Sequence, residues 1–215
     1  MKILIIGAHE DDPECGAGGL ALKAVKKGHS VKFLYLTNGE KYGFVPEGAS
    51  RVEVRESEAR AAAAFCGAEP HFFGYKDREI AYEPSVLKRV RDFIIESQAD
   101  LVIAQWPADQ HPDHQVCGIL ATQAVIGLDD VGLAYYESSI GVQSFGMVAN
   151  RYIDISDVYD DKKRMIAFHQ SQIVENLYKT RDHIEKWYGA RMRVQYAEGY
   201  YMHKSTQLSE ELFLP

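Results

Sequence analysis

Two apolar runs, KILII at 2–6 and VKFLYLT at 31–37, stand on either side of an Ala-, Leu- and Lys-rich stretch that Gly28 closes. By length and period they read as strand, helix, strand. Such an opening commits a chain to parallel strands bridged across the face of a sheet, because parallel neighbours cannot be joined by a tight turn. The alternation continues. Ser50 and Glu53 have the spacing of a capping box ahead of an Ala-rich helix reaching about Phe65. HFFGY at 71–75 is a weak strand candidate, and residues 84–98 place Val86, Leu87, Val90, Phe93 and Ile94 at helical spacing. DLVIAQW at 100–106 is a third clear strand, and a helix is expected to start near Pro112.

That order predicts an α/β fold: a Rossmann-like, mostly parallel sheet with helices on both faces and sites beyond the carboxyl ends of its strands. Past about residue 130 the pattern is less regular. GLAYYE and NRYIDI read as strands, residues 156–172 and 176–192 as helices, and VQYAEGYYMH as a last strand. No repeat or compositional break marks a second unit, so residues 1–215 are expected to form a single domain, with 46% hydrophobic residues to build its core. A net charge of -7 argues against a nucleic-acid partner, since phosphate binding needs clustered cations. The apolar run before His9 is too short for a signal peptide or membrane span, which predicts a cytoplasmic protein with no membrane partner. Cys15, Cys66 and Cys117 are odd in number and lack C-x-x-C spacing, so they read as buried thiols.

The chemistry is announced where the first strand ends. In IIGAHEDDPECGAGG, residues 5–19, His9, Glu10, Asp11 and Asp12 follow an apolar strand directly. Four titratable groups so placed repel one another and resist desolvation, and a divalent metal among them resolves both problems. A dinucleotide turn is the rival. It needs glycines where backbone approaches pyrophosphate, and here those positions carry acids. Gly16, Gly18 and Gly19 come later and suit a helix that approaches a strand closely. The second segment is WPADQHPDHQ, 106–115, in which Pro112 suits the first position of a helix and puts His111 and His114 on one face of its first turn. Two imidazoles and one carboxylate are a common catalytic zinc set that leaves a position open. Of Asp11 and Asp12, one would bind the metal and the other face its water, although Asp12 also suits a simple helix cap. Glu10 has no assigned role and is expected to face solvent.

Together these segments resemble the signatures of the PIG-L or LmbE-like family of zinc-dependent deacetylases, which act on N-acetylglucosamine and related amides. The family's A-H-P-D-D-x-E and G-x-G-G pattern appears as AHEDDPECGAGG, with Glu10 in place of the usual proline, and its H-P-D-H appears intact at 111–114. Further echoes lie at 28–40, 55–69, 167–172 and 197–200. The resemblance implies that His9, Asp12 and His114 bind Zn2+, with Fe2+ or Co2+ as other occupants of a similar set. It implies Asp11 as general base, His111 as oxyanion stabiliser or acid, Asp113 as the partner that orients a histidine, and Arg55 as a substrate-holding residue. It also implies a small-molecule amino-sugar substrate, of thiol-cofactor-precursor or chitobiose type, and admits a homo-oligomer. Two other readings stay open: a Mg2+-dependent nucleotide-binding protein, and a metal-binding relative without activity.

Overall fold

The computed structural model describes residues 1–138 and 146–213. Its strands are β1 (Lys2–Gly7), β2 (Ser30–Thr37), β3 (Glu69–Tyr75), β4 (Leu101–Gln105), β5 (Gly132–Tyr136), β6 (Arg151–Asp154) and β7 (Ala197–Lys204). Its helices are α1 (Asp12–Lys26), α2 (Arg51–Cys66), α3 (Pro84–Glu96), α4 (Pro112–Val125), α5 (Tyr159–Ile166), α6 (Val174–Met192) and α7 (Gln207–Glu211). The strands form one seven-stranded sheet in the order β3-β2-β1-β4-β5-β7-β6. β3 through β5 run parallel, while β7 lies antiparallel to β5 and β6 antiparallel to β7. This is the expected α/β, Rossmann-like arrangement. The strand order reverses direction between β1 and β4, and in such sheets the crevice beyond that point is where ligands bind.

Alternate side chains of the central strands feed opposite faces. Ile3, Ile5, Phe33, Tyr35 and Ile103 pack with α1 and α2, whereas Leu4, Ile6, Leu34, Val102 and Ala104 pack with α3 and α4. β3, the weakest expectation, is an edge strand without a fully buried residue, which accounts for its faint apolar signal. The helix expected over 156–172 is shorter: α5 ends at Ile166, and turns carry the chain through His169 to Gln172. Cys15, Cys66 and Cys117 are buried free thiols, as expected. Among the described residues no helix is long and apolar enough to cross a membrane.

Two close approaches set the position of the crevice. A Cβ on Gly16 would lie 1.9 Å from the Tyr136 ring at the end of β5, so α1 reaches the sheet only because that residue is glycine. A Cβ on Gly118 would lie 2.5 Å from the Gln105 carbonyl oxygen, so α4 likewise sits against the end of β4.

Helix α1 is broken at Ala17, whose φ of -138° and ψ of 18° are not helical. The amides of Gly19 and Leu20 restart the helix, and both donate to the Glu198 carboxylate of β7, at 2.7 and 2.8 Å. Glu198 therefore caps the second half of α1 from across the fold. It also accepts from Tyr200 Oη at 2.6 Å and pairs with the buried Lys162 at 2.5 Å, and these contacts hold its carboxyl below the ordinary range against the cost of burial. Glu198→Ala removes one partner of a buried pair and leaves two helix amides unsatisfied. The unfolding free energy in urea should fall by about 3–5 kcal/mol.

Candidate active site

Beyond the apolar run of β1 the chain delivers His9 at the point where the strand order reverses. Ala8 is pinned from both neighbours: Thr37 of β2 donates to its carbonyl oxygen, from N at 2.8 Å and from Oγ1 at 2.9 Å. Gln105 Oε1 of β4 accepts the Ala8 amide at 2.8 Å. His9 thus leaves a fixed platform. α4 supplies the facing side, with His111 at its N-cap and His114 in its first turn, and the ring centroids of those two are 4.7 Å apart.

Three donor groups converge. His9 Nδ1 lies 3.3 Å from Asp12 Oδ2, His114 Nε2 lies 3.3 Å from His9 Nδ1, and His114 Nε2 lies 3.5 Å from Asp12 Oδ1. A tetrahedral metal with bonds of about 2.0–2.1 Å separates its ligands by roughly 3.3–3.4 Å, so these residues fit such an ion. The far side of each ring is held by a carboxylate. His9 Nε2 is 3.0 Å from Asp113 Oδ2, and His114 Nδ1 is 3.2 Å from Asp109 Oδ1. Carboxylates in those positions keep the protons on the far nitrogens and turn the lone pairs of His9 Nδ1 and His114 Nε2 toward one another. Asp12 turns its carboxylate back to the His9 amide, 2.7 Å away, and does not act as a side-chain cap for α1.

The electrostatics ask for positive charge here. Burial opposes protonation of His9, but hydrogen bonds to Asp113 and Asp12 outweigh it and raise the pKa to about 10. Burial raises Asp12, yet His114 and His9 more than offset this and hold it far below the usual carboxylate range. His111 is pushed the other way, to about 4, by burial and by the neighbouring His9 and His114. It is therefore neutral at pH 7. Its Nδ1 accepts the Asp113 amide at 3.3 Å, which leaves Nε2 to carry the proton.

A second grouping, His9 with Asp77 and Asp113, also lies within metal-binding range. Its carboxylates are already satisfied. Asp77 accepts the amides of Gly39 and Lys41, each at 3.0 Å, and Asp113 accepts the Arg78 amide at 3.0 and 2.9 Å besides facing His9. These two acids fasten the loops after β2 and β3 to the site.

Asp11 stands apart. Its φ of 136° is a strained backbone for any residue with a side chain, and no hydrogen bond caps α1 through its carboxylate. The nearest cation is Arg55 Nη2, at 3.7 Å. Burial pushes Asp11 up to about 6, against the pull of Arg55.

Glu10 corrects one expectation. It does not face solvent but is 1% exposed, with Oε2 3.3 Å from Arg55 Nε. Arg55, itself buried, donates to the carbonyl oxygens of Glu10 at 2.8 Å and Tyr42 at 3.2 Å. The residue that replaces the usual proline is thus the buried anion against which Arg55 is set. Burial still raises Glu10 to about 7. Beneath the site lies a further cluster that sequence reasoning missed: Tyr35 Oη donates to Glu14 Oε1 at 2.6 Å, with His169 Nε2 3.3 Å from the same oxygen.

All of these groups face or underlie a cavity of about 580 Å³ lined by His9, Asp11, Asp12, Arg55, His111 and His114, with Lys41, Tyr42 and Arg78 from the adjoining loops. Asp113 lies behind His9, and Tyr135, Tyr136 and Tyr200 pack in the core. Arg55→Met strands Glu10 without a cation, and stability should fall by about 3–5 kcal/mol at pH 8. Because the folded state raises the pKa of Glu10, this cost is present above that pKa and shrinks as pH falls through it; denaturation at pH 8 and pH 5 measures the difference. The double variant Glu10→Gln, Arg55→Met should recover most of the loss.

A protein-family model described as GlcNAc-PI de-N-acetylase, PIG-L, matches residues 4–125. A diacetylchitobiose deacetylase of Thermococcus kodakarensis is 29% identical over 92% of this chain and 81% of its own length. The solved structure of the N,N'-diacetylchitobiose deacetylase from Pyrococcus horikoshii superposes with a TM-score of 0.83 at 25% identity, covering 94% of this chain and 84% of that one. A 4-carboxy-2-hydroxymuconate hydratase from Pseudomonas putida shares the fold, with a TM-score of 0.85 at 22% identity over 95% of this chain and 97% of that one. The family match spans both histidine-bearing segments and more than half of the sequence: this chain belongs to the PIG-L family of de-N-acetylases.

Proposed function

We propose that the protein is a metal-dependent hydrolase that removes the N-acetyl group from an amino-sugar substrate, with His9, Asp12 and His114 as ligands of a Zn2+ ion. The observation that carries this reading is the triangle of His9 Nδ1, Asp12 and His114 Nε2 at 3.3–3.5 Å, backed by two carboxylates. The similarity to deacetylases of diacetylchitobiose supports the amide class. Fe2+ or Co2+ would suit the same donors. The nucleotide alternative is poorly served, because Asp11, Asp12 and Glu14 occupy the start of α1, where a phosphate would need bare amides.

When bound, a divalent ion supplies a Lewis acid that polarises a carbonyl oxygen and lowers the pKa of water from about 15.7 toward about 7. Asp11 takes the proton from the attacking water. It suits that task because its carboxylate faces the cavity, has the fewest partners of the site's acids, and is pushed up to about 6 by its partly buried surroundings. Neutral His111 then donates from Nε2 to the oxygen on which negative charge develops. Asp11 returns its proton to the departing amine. Asp113 fixes His9 through Nε2 and His111 through its own amide. Arg55 keeps Asp11 in place, and the remaining N–H groups of its guanidinium are available to a substrate hydroxyl or carbonyl.

The reaction is tested by acetate release from N-acetylglucosamine, its malate and inositol conjugates and diacetylchitobiose, with and without added zinc. Metal-dependent release from at least one of them is expected, and release from none overturns the reading. Asp11→Asn should abolish turnover with bound metal unchanged by elemental analysis, whereas His114→Ala should lose the metal. His111→Ala should lower kcat about 10²- to 10³-fold with metal retained. Because the base works unprotonated, kcat/KM should fall as pH drops through about 6, or lower where the bound ion's charge adds to that of Arg55.

A further inference from the structure

Three lysine and arginine residues line the cavity, and two have side chains already engaged. Arg55 is buried against Glu10 and the Tyr42 carbonyl oxygen. Lys41 Nζ lies 3.1 Å from Glu79 Oε1. Arg78 differs: it is exposed, and its guanidinium has no hydrogen bond, ion pair or ring contact among the described residues.

Its backbone makes the difference more telling. Residues 76–79 form a turn closed by the Glu79 amide onto the Lys76 carbonyl oxygen, 3.1 Å, and Arg78 stands third in it with φ of 61°. Glycine or asparagine is what such a position favours, since a Cβ in the left-handed region costs roughly 1–2 kcal/mol. Arg193 and Gln98 also have positive φ, but both close the ends of helices, where that conformation is common. Arg78 is held there by its amide, which donates to both oxygens of Asp113, the carboxylate behind His9. The structure keeps a bulky cation in a turn built for glycine, and fastens it to the same acid that orients a metal ligand. Among the described residues no acid is paired with that guanidinium. Asp77 spends both oxygens on amides, Asp11 faces Arg55, and Asp12 faces His9 and His114.

We propose that Arg78 is the anion-recognition residue of this cavity, and that the substrate is an N-acetyl amino sugar bearing a phosphate or carboxylate group outside the amide. This rests on the deacetylase reading for the reaction, not for the anion contact. A guanidinium presents paired N–H donors that match either group, and charge-assisted bonds of this kind change affinity by roughly ten- to a hundredfold. Held on a short turn, the cation selects substrates whose charge lies at one distance from the acetamide.

The test compares wild type with Arg78→Gly, which suits the turn, and Arg78→Lys. Acetate release is measured from N-acetylglucosamine, its 1-phosphate and its 1-O-malate conjugate, which separates phosphate from carboxylate. Wild type should prefer at least one anionic substrate by tenfold or more in kcat/KM. Arg78→Gly should lower that anionic-to-neutral ratio at least tenfold, mainly through KM, and Arg78→Lys should keep part of it. A ratio near one in wild type, or one unchanged in a folded Arg78→Gly protein, overturns the proposal and leaves the deacetylase reading standing. A second arm needs no turnover: calorimetric titration of the metal-loaded proteins with glucose 1-phosphate, in which any contact with the metal is common to both. At least tenfold weaker binding by Arg78→Gly is expected, and equal binding overturns the assignment even where no sugar releases acetate.

Discussion

His9 Nδ1, His114 Nε2 and the Asp12 carboxylate point at one small volume, and lone pairs brought that close are tolerable only around positive charge. Much of the surrounding architecture serves that convergence. Thr37 and Gln105 clamp the end of β1 from either side, Gly118 lets α4 settle against β4, and Asp109 and Asp113 fix which nitrogen of each ring faces inward. The reversal of strand order between β1 and β4 opens the crevice, and these side chains give it a chemical purpose.

The acids around the crevice are distinguished by what answers each of them. Glu10 has Arg55, Asp113 has His9 and the Arg78 amide, Asp77 has two loop amides, and Glu14 has Tyr35 and His169. Asp11 has one guanidinium at 3.7 Å and a strained backbone. A carboxylate left so incompletely satisfied retains basicity, and strain of this sort persists only where neighbours enforce it. Environment therefore gives adjacent aspartates opposite characters: Asp12 stays ionised, and Asp11 is ready to take up a proton.

The alternation of strands and helices up to β5 and the two histidine-bearing segments were legible in the sequence because each is local: apolar runs, a helix-starting proline and short motifs write themselves in consecutive residues. What stayed hidden depends on separation along the chain. Glu10 reads as a surface acid until Arg55 is seen folded against it, and no spacing rule links those positions. The carboxylate behind His114 lies inside the same short segment, yet nothing in that segment alone says that Asp109, and not Asp113, would serve it. Helix α5 stops early because the turns after it bury His169 and Ser171 beside Glu14 and Glu58, a tertiary gain that helix propensity does not encode. The break in α1 hides in a run of small residues, and its cause, Glu198, lies far downstream.

That last contact ties segments 179 residues apart to one another in time as well as in space. The amides that restart the helix carrying Asp12 at Gly19 meet their carboxylate partner only when β7, made much later by the ribosome, has docked beside β5. A nascent chain that has already emerged with both histidine segments therefore still lacks that cap, and gains it only once β7 has been synthesised.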